Sequence, residues 1–403
     1  MGKWKQGQNV TTMLLLSLAI FGAASAHSAT FTVPTPFPTI GAALGVAMSD
    51  DTVMVGPGTY AERLTIPNGV TLRSVAGREV TVIDGEERGR VVEGHAIVLE
   101  GFAIVRGRAL GHGGGLLGSG TVRDCLFQRN TTGPITEARG GALNGTFRLA
   151  GCIFSHNGAH EAGGAISGAV EAEDCVFLSN SASSGWGGAI DGGGSYRACY
   201  FAQNGAHSGG HAAYLNAGDT LLEDCVFTEH VGFGSGVVRT FNTSPVIRRC
   251  TLYANGEDAL FFVGAVGGPG PTPLVESCTL VGNRAGIIAS QGNVHVTVTH
   301  TILAQNTYGL RCFNGASGFS GNCNDFWQNT DNFSPSCSSS LGLSLEADPL
   351  FCNAEAGDYH LRSDSPCRTG APPSCGLVGA WDVGCGFVAT TAATWSAVKS
   401  RYR

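Results

Sequence analysis

The chain has 403 residues, of which 61 are glycine, 43% are apolar and 14% charged, and its formal net charge is −7. So many glycines with so few long helical patterns exclude a helical bundle or a doubly wound sheet, and apolar residues recurring in register exclude disorder. The acidic balance argues against nucleic acid as a partner.

Residues 1–26 read as an export signal: Lys3 and Lys5, an apolar run from Met13 to Phe21, then Ala24-Ser25-Ala26 before His27. Removing them deletes two lysines and no acid, taking the charge from −7 to −9 and leaving Lys399 as the last lysine. No later stretch reaches the roughly 18 uninterrupted apolar residues of a membrane helix, so no integral span is expected. The protein is expected outside the cytoplasm, secreted or held at the outer surface.

Residues 27–50 are expected to form an N-terminal helical cap, with Thr39 as N-cap before an apolar helical face from Ile40 to Met48. A cap would cover the strand edges and apolar interior of whatever follows. Strands are then expected at VMV, LTI and VTL, between Val53 and Leu72.

A ten-residue phrase begins to repeat after residue 120: TVRDCLFQRN to Asn130, RLAGCIFSHN to Asn157, EAEDCVFLSN to Asn180, SYRACYFAQN to Asn204 and LLEDCVFTEH to His230. Weaker copies end at Asn255, Asn283, Asn306 and Asn329. Cysteines at 125, 152, 175, 199, 225, 250 and 278 mark intervals of 27, 23, 24, 26, 25 and 28 residues. Cys and the following Phe or Leu lie two apart, so in a strand they share one face. A short strand cannot bury that face alone, and stacking successive coils in parallel completes both core and ladder. The fold class is therefore all-β: a single-stranded right-handed parallel β-helix over 51–330, with coils of roughly 25 residues. About a dozen coils at ~4.8 Å would form a rod of about 60 Å. The terminal asparagines are expected to take a left-handed bend and bond from coil to coil, and the pairs Gly140-Gly141, Gly163-Gly164, Gly187-Gly188 and Gly209-Gly210 to supply a second bend. The ladder cysteines are expected as buried thiols.

The GGA[IL] phrases at Gly140, Gly163 and Gly187, paired with FxxN from Phe127 to Asn204, resemble the repeats of polymorphic outer-membrane proteins, which are surface β-helix passengers. Only 18 residues follow Cys385, fewer than two membrane-barrel strands with their turns require, so no barrel is expected. The opening coils resemble those of pectinesterase-like proteins, and the region from Ala347 to Cys385 resembles the closing segment of bacterial secreted β-helix proteins of the pectin-lyase-like superfold. Residues 331–389 are expected to form the last coils and a Cys-containing C-terminal cap, and 390–403 a mobile tail. Cys312 with Cys323, and Cys367 with Cys375 or Cys385, are the disulfide candidates, with one of the seven C-terminal cysteines left unpaired.

The fold hosts lyases, hydrolases, esterases and epimerases, and by itself establishes no chemistry. No catalytic set is assigned. Glu257-Asp258 is the best carboxylate pair, but adjacent strand residues face opposite sides, and a turn explains them. Asp124, Asp174 and Asp224 recur every second coil, too far apart for calcium, whose ligands converge on one point. His160 and His207 occur in identical NGAH phrases with His211 close by, and could share a face that binds a metal or a glycan, although a solvated turn explains them as well; Trp186 and Tyr214 could stack on sugar rings. No metal or cofactor is expected. The sequence favours a structural or adhesive surface protein whose partner is a polysaccharide or a cell-surface component, with a carbohydrate-active lyase or hydrolase as the alternative. A lateral groove where acids or an Arg-His-Tyr set converge would separate the two.

Overall fold

The computed structural model describes residues 2, 28–230, 232, 235–313, 317–371 and 375–385. Apart from Gly2, the expected signal segment lies outside the described residues, as does the expected tail. The chain forms an all-β solenoid of about 13 turns and about 23 residues per coil. Three parallel sheets run along it: a long sheet of 21 strand segments, a second of 13 and a third of five.

One coil shows the pattern. Ile166–Glu173 lies in the long sheet, Val176–Leu178 in the second and Ser181–Ala182 in the third. Each segment pairs in parallel with its counterpart one coil on, for example Phe177 with Phe201. In the long sheet, single strands of eight or nine residues run from Val92–Glu100 to Ile190–Arg197, following a rung split into Leu64–Ile66 and Thr71–Ser74. After Arg197 each rung splits again into two short strands, beginning with Ala213–Leu215 and Leu221–Glu223.

The repeat phrase fills one interior. Cys125, Cys152, Cys175, Cys199, Cys225, Cys250 and Cys278 are all buried free thiols in the main core, as the spacing predicts. Burial pushes the Cys125 thiol up to about 12, so this group is an inert small hydrophobe. Phe127, Phe154, Phe177, Phe201 and Phe227 stack with ring centres 5.0, 5.0, 4.6 and 4.6 Å apart, following the strand spacing.

The bends differ from expectation. The left-handed residue is the one before each asparagine, such as Arg129, His156, Ser179 and Gln203, rather than the asparagine. The asparagine is released from the bend to turn inward, where it is buried. Its Oδ1 accepts from the backbone N–H and Nδ2 of the preceding asparagine: Asn157 takes both from Asn130, at 3.0 and 3.1 Å. A second left-handed position, Asp124, Asp174 and Asp224, precedes the ladder cysteine and turns the long sheet into the second. Mid-strand glycines make a third device. Gly118, Gly145, Gly168 and Gly192 stack so closely that a Cβ on any of them would lie 1.7–2.3 Å from the carbonyl oxygen one rung back.

The ends also depart from expectation. The first rung is a strand, Thr30–Val33, paired to Thr52–Val55, and the N-terminal helix is a single turn, Ile40–Leu44, capped by Thr39 Oγ1. Burial of Ile40, Ala43 and Leu44 sets it against the first strands, so no longer helical cap forms. At the other end, Asp331–Phe333, Ser338–Leu341 and Ser344–Leu345 continue the coils. The following segment folds back over the outer face of the second sheet, packing Tyr359, Leu361 and Val378 on Val281, Ile302 and Ala304. Trp381 Nε1 donates to Thr251 Oγ1 at 2.8 Å, and the Ala380 amide to Thr279 Oγ1 at 2.9 Å.

The disulfides are Cys312–Cys337, Cys323–Cys375 and Cys352–Cys385. This corrects the expected pairings of Cys312 with Cys323 and of Cys367 with Cys375 or Cys385. Cys337 lies in a turn one coil on, free of ladder register, so its side chain can meet Cys312. Cys323 sits on a left-handed bend beneath the returning segment that carries Cys375. Cys367 is the unpaired one, buried with its thiol 3.5 Å from Asp325 Oδ2.

Candidate functional site

Strand alternation divides the long sheet's residues between core and outer surface. Ile166, Ile190, Ala213, Val238, Leu260, Ile287 and Leu310 point inward. Their successors therefore form one outward column: Ser167, Asp191, Tyr214, Arg239, Phe261, Ile288 and Arg311, each paired to the next by register.

Asp191 is the acid of this column and is only 3% exposed. Ser167 Oγ donates to its Oδ2 at 3.0 Å, Asn216 Nδ2 donates to Oδ1 at 3.0 Å, and Arg139 Nη1 lies 3.4 Å from Oδ2. Burial pushes its carboxyl above the usual range, against the pull of Arg139 and of the two hydrogen bonds. Beside it the Trp186 and Tyr214 rings stack with centres 5.0 Å apart. Arg239 lies over Trp186 at 4.6 Å and over Phe261 at 4.9 Å. Farther along, Arg311 sits over Tyr308 at 4.4 Å and Phe313 at 4.3 Å, on a small apolar cluster outside the main core that includes Phe261 and Ile288.

The other half of the long sheet carries a charged column, Arg123, Ala150, Glu173, Arg197, Glu223, Arg248 and Glu276. A cleft of about 240 Å³ opens where Ala150 interrupts it, lined by Arg123, Arg148, Glu171, Glu173, Ser195 and Arg197. Its charges largely answer one another: Arg148 pairs with Glu171 at 3.1 Å, and Arg197 with Glu223 at 3.0 Å. Glu223 also binds Arg248 at 2.7 Å and Arg249 at 2.5 Å, and hydrogen bonds from these arginines, Arg248 foremost, hold its carboxyl down at about 2.

Of the candidates read from sequence, Trp186 and Tyr214 come together and the histidines do not. His160 and His207 lie on turns two coils apart, with the Ser183 hydroxyl 3.4 Å from His160 Nδ1. His211 is fully buried, so it does not share their face; its Nδ1 accepts from the Ala206 amide, and its Nε2 has no partner. Among the described residues no three His, Cys, Asp or Glu side chains gather as a metal site would require. Glu257 and Asp258 both turn to Arg284, at 3.0 and 2.5 Å, and brace a bend. Sequence reasoning missed Asp191, Arg139, Arg239 and Arg311. A signal was present: the residue after GGA[IL] occupies the outward column, as Asn144, Ser167 and Asp191 do.

The family model for a right-handed β-helix region matches residues 143–326. No curated protein matches the chain. Among solved structures it is similar to a mannuronic acid specific polysaccharide family 6 lyase from human gut microbiota, at 13% identity over 73% of this chain and 86% of that one, with a TM-score of 0.41. It is also similar to the catalytic domain of a GH87 α-1,3-glucanase in complex with nigerose (11% identity, 81% and 69% covered, TM-score 0.42). A pectin methylesterase from carrot gives 12% identity, 80% and 90% covered, and a TM-score of 0.28.

Proposed function

We propose that this is an exported carbohydrate-active protein of the lyase or hydrolase kind, which lays a polysaccharide along the outward column of the long sheet and uses Asp191 to donate a proton. One observation carries this reading: a buried carboxyl with a raised pKa, an aromatic pair and an arginine converge at one place on an otherwise regular wall. Trp186 and Tyr214 offer apolar ring surface to the C–H face of a sugar. A carboxyl whose pKa burial raises keeps its proton to a higher pH than a free one and can protonate a leaving oxygen, and Arg139 fixes its orientation. Export is supported by the first 26 residues and by three disulfides, which persist in oxidising compartments.

The test is incubation with acidic and neutral polysaccharides, following reducing ends and unsaturated products. Turnover should fall as pH rises past the raised Asp191 pKa, because the protonated form is the active one. Asp191→Asn should cut turnover by about 10²–10⁴-fold, the usual contribution of a positioned acid, and leave binding intact. A second reading, an adhesive surface protein, is favoured by the GGA[IL]/FxxN resemblance to outer-membrane passengers. Binding without any turnover of any polysaccharide would establish it instead.

A further inference from the structure

Arginines on this solenoid mostly meet carboxylates: Arg106 meets Asp84, Arg284 meets Asp258, and Arg197, Arg248 and Arg249 meet Glu223. Arg239 and Arg311 do not. Among the described residues neither lies within ion-pair distance of an acid, although both stand in the outward column. Instead each is held between two aromatic rings, Arg239 by Trp186 and Phe261 and Arg311 by Tyr308 and Phe313. Arg239 Nε is buried with no acceptor. A guanidinium that has lost water without gaining a carboxylate is costly in the free protein and supplies a planar, bidentate donor to an incoming anion. Ring stacking fixes its orientation beforehand, lowering the entropy lost on binding.

The two sites repeat one design at a fixed interval. Arg239 pairs with Phe261, Phe261 with Ile288 and Ile288 with Arg311, so three rungs, roughly 14 Å at ~4.8 Å each, separate them. Between them Phe261 and Ile288 are buried, so the two partly exposed arginines are what this stretch of the column offers to a ligand. We infer that Arg239 and Arg311 are two anion-reading subsites for one extended acidic polysaccharide, each taking a carboxylate or sulfate. The chain as a whole is acidic, but this strip carries Arg139, Arg239 and Arg311 against the buried Asp191 and the nearby Glu161, and it is the local field that a ligand meets. The inference rests on the polysaccharide reading above and adds the substrate's charge and its minimum reach.

Calorimetric titration of the full chain tests it, with oligogalacturonate as the carboxylate probe, a sulfated glycosaminoglycan oligosaccharide as the sulfate probe, and a neutral α-glucan oligosaccharide and oligothymidylate for comparison. One acidic oligosaccharide should bind more tightly than the neutral one and weaken with salt, and which one does so identifies the anion. Arg239→Gln and Arg311→Gln should each weaken it about tenfold, equivalent to ~1.4 kcal/mol, and the pair together about a hundredfold, since sites more than about 10 Å apart add. Arg239→Lys should fall between, and Arg88→Gln, whose guanidinium pairs with Glu86 on a remote turn, should change nothing. If Arg239→Gln melts early, Arg311→Gln carries the test. Equal binding of neutral and acidic oligosaccharides, indifferent to both substitutions, would overturn the inference and leave the polysaccharide reading intact. Binding of no oligosaccharide would remove both, and tighter binding of oligothymidylate would overturn the inference in favour of a nucleic acid.

Discussion

His230 shows how one side chain can be tolerated inside a ladder made for another. It replaces asparagine between Asn204 and Asn255, fully buried, with Nδ1 3.1 Å from Asn255 Oδ1 and Nε2 3.4 Å from Asn204 Nδ2. These partners require the proton on Nδ1 and a bare Nε2, so a second proton would face the amide donor of Asn204. Burial likewise pushes its pKa down, to about 3. A base whose pKa falls on folding stabilises the fold above its unfolded value of about 6.5 and loses that contribution as pH falls from there toward 3. His230→Asn should restore an Oδ1 that accepts twice. The variant is expected to match or exceed the parent by about 1 kcal/mol at pH 8, the usual net value of a hydrogen bond. At pH 5 the advantage should grow by about 2 kcal/mol, at ~1.36 kcal/mol per pKa unit. Thermal melts of the two proteins across pH 5–8 check this, and parallel pH profiles would contradict it.

A rung is stable only through its neighbours, and the phenylalanine column makes that dependence measurable. Phe177 lies between Phe154 and Phe201, stacked on both, and is completely buried. Phe177→Ala should cost about 3–5 kcal/mol through lost burial and the cavity left behind. Phe177→Asp should prevent folding, because a carboxylate placed there has no partner to offset its desolvation. Denaturant melts read the first and loss of the β circular-dichroism signal the second. A folded Phe177→Asp protein with unchanged melting would show that the rungs are misaligned. Alternation does the complementary work on the same strands, turning Ile190 inward and Asp191 outward, so that one element serves both core and site.

At the scale of the molecule, thiols divide into two populations by the geometry of the solenoid. Ladder cysteines stack in register, whereas the C-terminal ones sit on bends or in the returning segment, where side chains can approach one another. Titration with a thiol reagent should therefore find almost no reactive cysteine in the native protein and eight after denaturation without reductant. Six further thiols should appear only on reduction, bringing the total to the 14 in the sequence. Fourteen thiols on denaturation alone would mean that the returning segment is not covalently fastened over the second sheet.

The repeat spacing alone was enough to determine the solenoid, the buried thiols and the Cys-Phe interior, because a period near two dozen residues combined with strand alternation leaves few other ways to bury so many short apolar segments. It also singled out Trp186 and Tyr214, whose types announce ring surface. What it could not determine was anything set by contacts between coils. Arg139 and Asp191, which meet, are 52 residues apart, and Asp191 and Arg239, two rungs apart in one column, are separated by 48. Only the exact length of each coil brings them together. The disulfides failed for the same reason, since Cys323 meets Cys375 only because the chain doubles back over the second sheet. Local pattern fixes which way a side chain points, and tertiary register decides what it finds there.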